Sequence, residues 1–193
     1  KETDISVSVS ELIDKEALRS ISDGTRISML TATIGVSYIE TRAESSLAAY
    51  AALNDLANHW AGHDAAIIAA FGDPGLRAAR EILPIPVVGL TESSLMTAAM
   101  LGDKIGIIAI SRRIKAWYEE TIGSYGMSER LCGIRCLDQP FSDIGNIQST
   151  NEDQLISLCQ QAINEDGADV LIIAGAPLAG LARDVADRIT VPI

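Results

Sequence analysis

The sequence predicts an α/β protein of two pseudo-symmetric, doubly wound parallel-sheet lobes, with a site in the crevice between them. Three observations predict it. Apolar strand-like runs alternate with helical patterns along the chain, a pattern that calls for parallel sheets covered by helices. One stretch occurs twice: Asp64 to Pro86 reads DAAIIAAFGDPGLRAAREILPIP, and Asp169 to Pro192 reads DVLIIAGAPLAGLARDVADRITVP. The two copies keep an offset of 105 residues from Asp64/Asp169 to Leu76/Leu181, far from the roughly 20–50 residues of a solenoid repeat, so they read as two facing halves. Finally, each copy sends a buried strand ending in Ile-Ile-Ala into a loop of Ala, Gly and Pro. Open α/β sheets bind ligands at such carboxyl ends.

Taken in order, residues 1–10 have two readings. Ile5, Val7 and Val9 alternate with serines as in a half-buried strand, while Ser10 suits the N-cap of a helix over Glu11–Ser20. Arg26–Thr33 is strand-like and Ile34–Tyr38 a loop. Glu40–His59 is a long alanine-rich helix with Ala43, Leu47, Tyr50, Leu53, Asn54 and Ala57 at helical spacing. Ala65–Ala70 is an uninterrupted apolar strand, the kind buried on both faces. A short helix over Gly75–Ile82, a strand over Ile85–Leu90 and a helix over Glu92–Leu101 with Thr91 as N-cap follow. Next come a strand over Lys104–Ile110, a helix over Arg112–Tyr125 and a strand over Arg130–Leu137. Asp138–Asn151 is the longest loop. The chain closes with a helix over Glu152–Glu165, a strand over Asp169–Ala174, a helix over Leu178–Arg188 and a strand from Thr190. We group residues 1–90 with 168–193 as one lobe and 91–167 as the other, in a single compact unit.

Composition excludes several functions. The 193 residues are 48% hydrophobic and carry a net charge of −11, which argues against nucleic-acid and anionic-membrane surfaces, since these need a basic footprint. Cys132, Cys136 and Cys159 form no zinc pattern and read as reduced thiols of a cytoplasmic protein. His59 and His63 sit at a helix end, and no metal site or other cofactor is expected. The N-terminus is polar and lacks the apolar core of a signal peptide, and no uncharged run approaches the ~18 residues of a membrane span. Alanine-rich helices in so hydrophobic a chain point to a homo-oligomer.

Several segments, in this order and spacing, carry a family resemblance: Gly24-Thr25; Tyr38-Ile39-Glu40; Phe71-Gly72-Asp73-Pro74-Gly75-Leu76; Pro86-Val87-Val88-Gly89; Met100-Leu101-Gly102; Cys132-Gly133-Ile134-Arg135; and Asp166-Gly167-Ala168-Asp169. From about residue 20 onward the chain resembles the aspartate/glutamate racemase superfamily, most closely its hydantoin racemase branch. The resemblance implies a small carboxylate or hydantoin-like ligand held between the halves. It also implies two cysteines, one per loop, that remove and return a proton on opposite faces of a carbon acid, because a thiol's pKa can be brought toward neutrality. Here those positions fall at Ala70 and Gly175, which the 105-residue offset also makes equivalent. The family begins with an apolar strand and ends with a helix that this sequence does not show, so the natural chain is expected to extend beyond residues 1 and 193.

Neither Ala70 nor Gly175 can exchange a proton. The reading is therefore a racemase-type isomerase whose proton transfer does not use the usual thiol pair. Two alternatives stand beside it: a catalytically silent small-carboxylate binder, and a lyase or hydrolase using the same loops. Ala70, Phe71, Gly72, Gly175, Ala176 and Pro177 would line the ligand, with free N–H groups at the following helix starts favouring an anion. Asp73 is the one ionisable residue in either loop, a general base if desolvated or a cap of the next helix. Glu92 is the other candidate base, or a first-turn carboxylate favoured by the helix dipole. Ser93 and Ser111 stand at strand ends as ligand contacts, or in the case of Ser111 as a cap. Tyr38 and Glu40 line the crevice, Arg112, Arg113 and Lys115 face solvent, and Trp117 and Tyr118 pack.

Overall fold

The computed structural model describes residues 4–36, 38–137 and 144–193. Two parallel sheets form the frame. The first pairs β1 (Ala66–Ile68) with β2 (Val87–Gly89). The second has the order β4-β3-β5, with β3 (Ile105–Ala109) between β4 (Leu131–Cys136) and β5 (Val170–Ile173). Helices connect the strands throughout: α1 (Asp4–Ser20), α2 (Arg42–His59), α3 (Leu76–Ile82), α4 (Leu90–Leu101), α5 (Lys115–Ser124), α6 (Ile147–Asn164) and α7 (Leu181–Val185). The α/β class and the parallel pairing follow the sequence pattern.

The core sits on β3. Ile105, Ile107, Ile108 and Ala109 are all at most 1% exposed, so this strand is buried on both faces, as a central parallel strand should be. One face packs against Phe71, Trp117, Tyr118 and Ile122, the other against Leu155, Ile156 and Cys159 of α6. A smaller cluster covers one face of the first sheet, where Ile68, Val87, Leu76 and Ala79 meet partly buried Leu53, Leu56 and Trp60. The two sheets are joined through α4, which leaves β2 and lies against β5.

Local chemistry explains the element starts. Thr41 is the N-cap of α2: its hydroxyl accepts from Glu44 N while the Glu44 carboxylate accepts from Thr41 N, closing a capping box. The N-terminal segment is one helix from Asp4, so serine alternation there does not mark a strand; the helix lies against residues 176–178. Residues 26–33 carry no strand. Met29 and Leu30 are exposed, and no strand among the described residues offers them a ladder. β1 is shorter than read, and Ile67 on its outer face is 67% exposed, because only one face of the two-stranded sheet is covered. Thr91 lies inside α4, whose N-cap is Gly89. Of the loop read over residues 138–151, residues 138–143 lie outside the described residues and the remainder enters α6 at Ile147. The last helix is split into turns over Ala176–Leu178 and Ala186–Arg188 flanking α7. The tail from Thr190 forms no strand, although Pro192 O accepts from Leu171 N beside β5.

Strand pairing groups residues 170–173 with β3 and β4. Repeat symmetry gives the equivalence of β1 and β5, and that symmetry is the reason they occupy different sheets.

Candidate active site

The two repeated loops leave β1 and β5 at their carboxyl ends, and Phe71 ties the first to the second sheet. Its ring is 5% exposed and packs 4.8 Å from the Tyr118 ring, in the same cluster as Ala109, Ala174 and Cys136. Gly72 has φ +103°, and a Cβ there would stand 2.2 Å from the Trp117 ring. The indole therefore covers the loop backbone directly, and Trp117 helps to shape the loop as well as packing.

Asp73 is 6% exposed with φ +47°. Its carboxylate accepts from Thr91 N and Glu92 N, both at 2.8 Å, and from the Tyr125 hydroxyl at 2.7 Å. It thus caps α4, the helix after next, and not α3. Thr91 answers it: its buried hydroxyl accepts from Gly72 N at 2.5 Å. Burial and the Asp73 carboxylate together push the Tyr125 phenol far above its ordinary range. Thr91 and Tyr125 are positioning residues; the sequence marked Thr91 as a helix cap but gave no sign of its partner, and did not point to Tyr125. The first is 18 residues and the second 52 residues from Asp73, and no local pattern encodes either pairing.

Glu92 turns to Arg80, with contacts of 2.5 and 3.1 Å. That guanidinium holds its carboxyl below the usual range, outweighing desolvation. Ser93 is exposed on α4. Asp73 and Glu92 are thus both engaged with protein groups, while Ala70 packs partly buried against the first-sheet cluster.

The second loop is different in kind. Gly175 has φ +117°, a conformation side chains rarely adopt, although a Cβ there would meet nothing nearer than Ile110 at 3.6 Å and the Tyr38 hydroxyl at 3.7 Å. The amides of Ala174, Leu178 and Ala179 donate to Ile108 O, Gly175 O and Ala176 O. Those of Gly175 and Ala176 are not spent in this way among the described residues. In the first loop, by contrast, Gly72 N and Asp73 N are both engaged, the latter on Ala70 O. The Gly175 and Ala176 amides are thus open to an anionic or carbonyl oxygen, as are their counterparts at Ala70 and Phe71, which donate to no backbone carbonyl outside the helices and strands among the described residues. The second loop runs into a single turn, Ala176–Leu178, and the five-residue α7, so helix dipoles contribute little and the individual N–H groups matter more.

Tyr38 stands beside this loop, and Glu40, from the same turn, is engaged by Ser111 and Arg113. Ser111 is 8% exposed, donates to Glu40 Oε1 at 2.5 Å, and caps the turn at Arg112–Ile114 by accepting from Arg113 N. Arg113 Nη1 reaches Glu40 Oε2 at 3.0 Å. Tyr38 is largely buried, and burial with the nearby Glu40 charge raises its phenol well above the ordinary range.

The cysteines do not replace the two thiol positions in the loops. Burial raises the Cys132 thiol and pushes Cys159 up to about 11, opposite to what a proton-transferring thiol needs. Cys136 is buried at the end of β4. Among the described residues no group of three or more His, Cys, Asp or Glu could hold a metal ion, and no helix is long and apolar enough to cross a membrane.

Comparison with known proteins gives this geometry a context. The family model described as Asp/Glu/Hydantoin racemase matches residues 5–193. A hydantoin racemase of Pseudomonas sp. is 35% identical over 132 residues, covering 68% of this chain and 53% of that protein. A hydantoin racemase of Paenarthrobacter aurescens is 27% identical over 190 residues, covering 97% of this chain and 80% of that one. The solved allantoin racemase of Klebsiella pneumoniae superimposes with a TM-score of 0.91 at 26% identity, over 97% of this chain and 77% of its own. The chain thus spans about half the length of the first of these relatives.

Proposed function

The chain belongs to the Asp/Glu/hydantoin racemase family, and from that premise we propose that its crevice binds a hydantoin-like cyclic ureide and exchanges the proton on the ring carbon. The observation that carries this reading is the second loop, where the Gly175 and Ala176 amides are available to a ring carbonyl. Loss of the α-proton turns that carbonyl into an enolate oxygen. Donors already aimed at the developing charge lower the barrier without reorganising. The hydantoin and allantoin racemases among the relatives supply the substrate class.

In this reading Asp73, Thr91 and Tyr125 fix the backbone of the first loop, and Trp117 lies over Gly72. Ala70 and Gly175 offer no proton-transferring side chain, so in this reading the ring proton leaves to, and returns from, water in the crevice. Exposed Met96, Met100 and Leu101 on α4 support self-association of the chain, which light scattering of the eluted protein would measure.

The test is to incubate one enantiomer of a 5-substituted hydantoin with the protein in D₂O. Deuterium incorporation at the ring carbon and decay of optical rotation, both above the buffer rate, are expected. Exchange at the buffer rate would overturn the isomerase reading. A second reading, a ligand binder without turnover, is favoured by Ala70 and Gly175 themselves. It predicts thermal stabilisation by the same ring through ligand linkage with no exchange, and exchange above the buffer rate would exclude it.

A further inference from the structure

The turn before α2 brings a carboxylate, which the family resemblance did not assign, to the sheet edge that bears the second loop. Ile108 and Ile173 are partners in the β3–β5 register. Ser111 stands three residues past the first and Ala176 three past the second, so both leave the sheet at its carboxyl edge. Ser111 Oγ donates to Glu40 Oε1 at 2.5 Å. Tyr38, from the same turn as Glu40, brings its hydroxyl 3.7 Å from where a Cβ on Gly175 would stand. Glu40 is therefore brought to the same edge of the sheet as the loop whose Gly175 and Ala176 amides are available.

Its acceptor capacity is not used up. A carboxylate offers about four lone-pair positions. Ser111 takes one and Arg113 Nη1 another, at 3.0 Å. The Glu40 side chain is 21% exposed and that of Arg113 is 63% exposed, so the remaining positions are reachable and the Arg113 contact is one that water screens. Asp73 differs: three donors, two of them backbone amides, occupy it in a nearly closed site. An acceptor-only carboxylate at the same sheet edge as two backbone donors complements a ring that presents N–H beside C=O.

We propose that Glu40 is a specificity-determining residue that accepts a ring N–H of the bound cyclic ureide while the Gly175 and Ala176 amides take the adjacent carbonyl. This rests on the crevice reading above. Glu40 also ties α2 to β3 through Ser111 and Arg113, so the test must separate recognition from anchoring.

Calorimetric titration of the 193-residue chain with a 5-alkylhydantoin and with its N1,N3-dimethyl counterpart does so. A hydrogen bond to a charged group predicts that the wild type prefers the N–H ring by about tenfold or more. Glu40→Ala should bring that ratio to about one, and Glu40→Gln, which keeps one acceptor oxygen, to a value between. Ser111→Ala keeps the carboxylate and should preserve the ratio, even if both affinities fall together. A wild type that binds both rings equally, or a Glu40→Ala protein that keeps the wild-type ratio, overturns the role of Glu40 and leaves the crevice reading standing. A wild type that binds neither ring overturns the crevice reading, and the role of Glu40 with it.

Discussion

Replacing Asp73 with alanine removes the acceptor for Thr91 N, Glu92 N and the Tyr125 hydroxyl at once. Thr91 is fully buried, and a buried donor left unmatched costs about 1–3 kcal/mol. Urea unfolding should show Asp73→Ala destabilised by about 3 kcal/mol and Asp73→Asn, with one acceptor oxygen left, by less. Gly72→Ala meets both a positive φ and the Trp117 ring; strain and overpacking together predict a loss of about 3 kcal/mol. Gly175→Cys meets no atom closer than 3.6 Å, so its cost is the backbone strain alone, about 1–2 kcal/mol. Glu92 gives a pH prediction. Its folded pKa is lowered by Arg80, so its contribution is present above the unfolded carboxyl value of ~4.3 and is lost as pH falls through the folded value. The destabilisation of Glu92→Gln, followed by unfolding at a series of pH values, should be present at neutral pH and vanish in acid. At this scale the sequence located the loop residues but not their partners. Asp73 was legible as a base or as a cap of the next helix. Its actual target, the N-terminus of α4, depends on how the chain turns at φ +47° and on a tyrosine brought in from beyond α5.

The elements divide by how their faces are covered. β3 lies between two strands and under helices on both sides, and Ile107 is 0% exposed. Ile107→Ala should cost about 3 kcal/mol by thermal or urea unfolding. Ile67 of β1 has the same chemistry in an equally apolar run, yet is 67% exposed; Ile67→Thr should change stability by no more than ~0.5 kcal/mol. Apolar runs announced both strands because the backbone preference and the hydrophobicity are local. Which run would be buried on both faces was not legible, since this is decided by the partners a strand finds. The same limit applies to Arg26–Thr33, a strand-like run whose ladder partner is missing among the described residues, and to the helix read over Leu178–Arg188, which Gly180 at φ +89° interrupts. The long helix α2 was legible to within two residues, because Thr41 and Glu44 write its start into the sequence.

For the whole molecule, the internal repeat was the most informative feature. It pointed correctly to two parallel sheets with equivalent loops at their carboxyl ends. Its second copy supplies β5, which pairs with β3. What the repeat could not carry was the difference between its copies. The first loop ties Gly72 N and Asp73 N to Thr91 and to itself, and the second has Tyr38, from the same turn as Glu40, beside Gly175. The side chains around the two loops therefore differ, although the chain around them is pseudo-symmetric. A crystal structure of the protein with a 5-substituted hydantoin tests the proposed site most directly. The account predicts the ring between Ala70 and Gly175, its carbonyl on the Gly175 and Ala176 amides. A ring bound elsewhere on the protein, with the crevice empty, would contradict it.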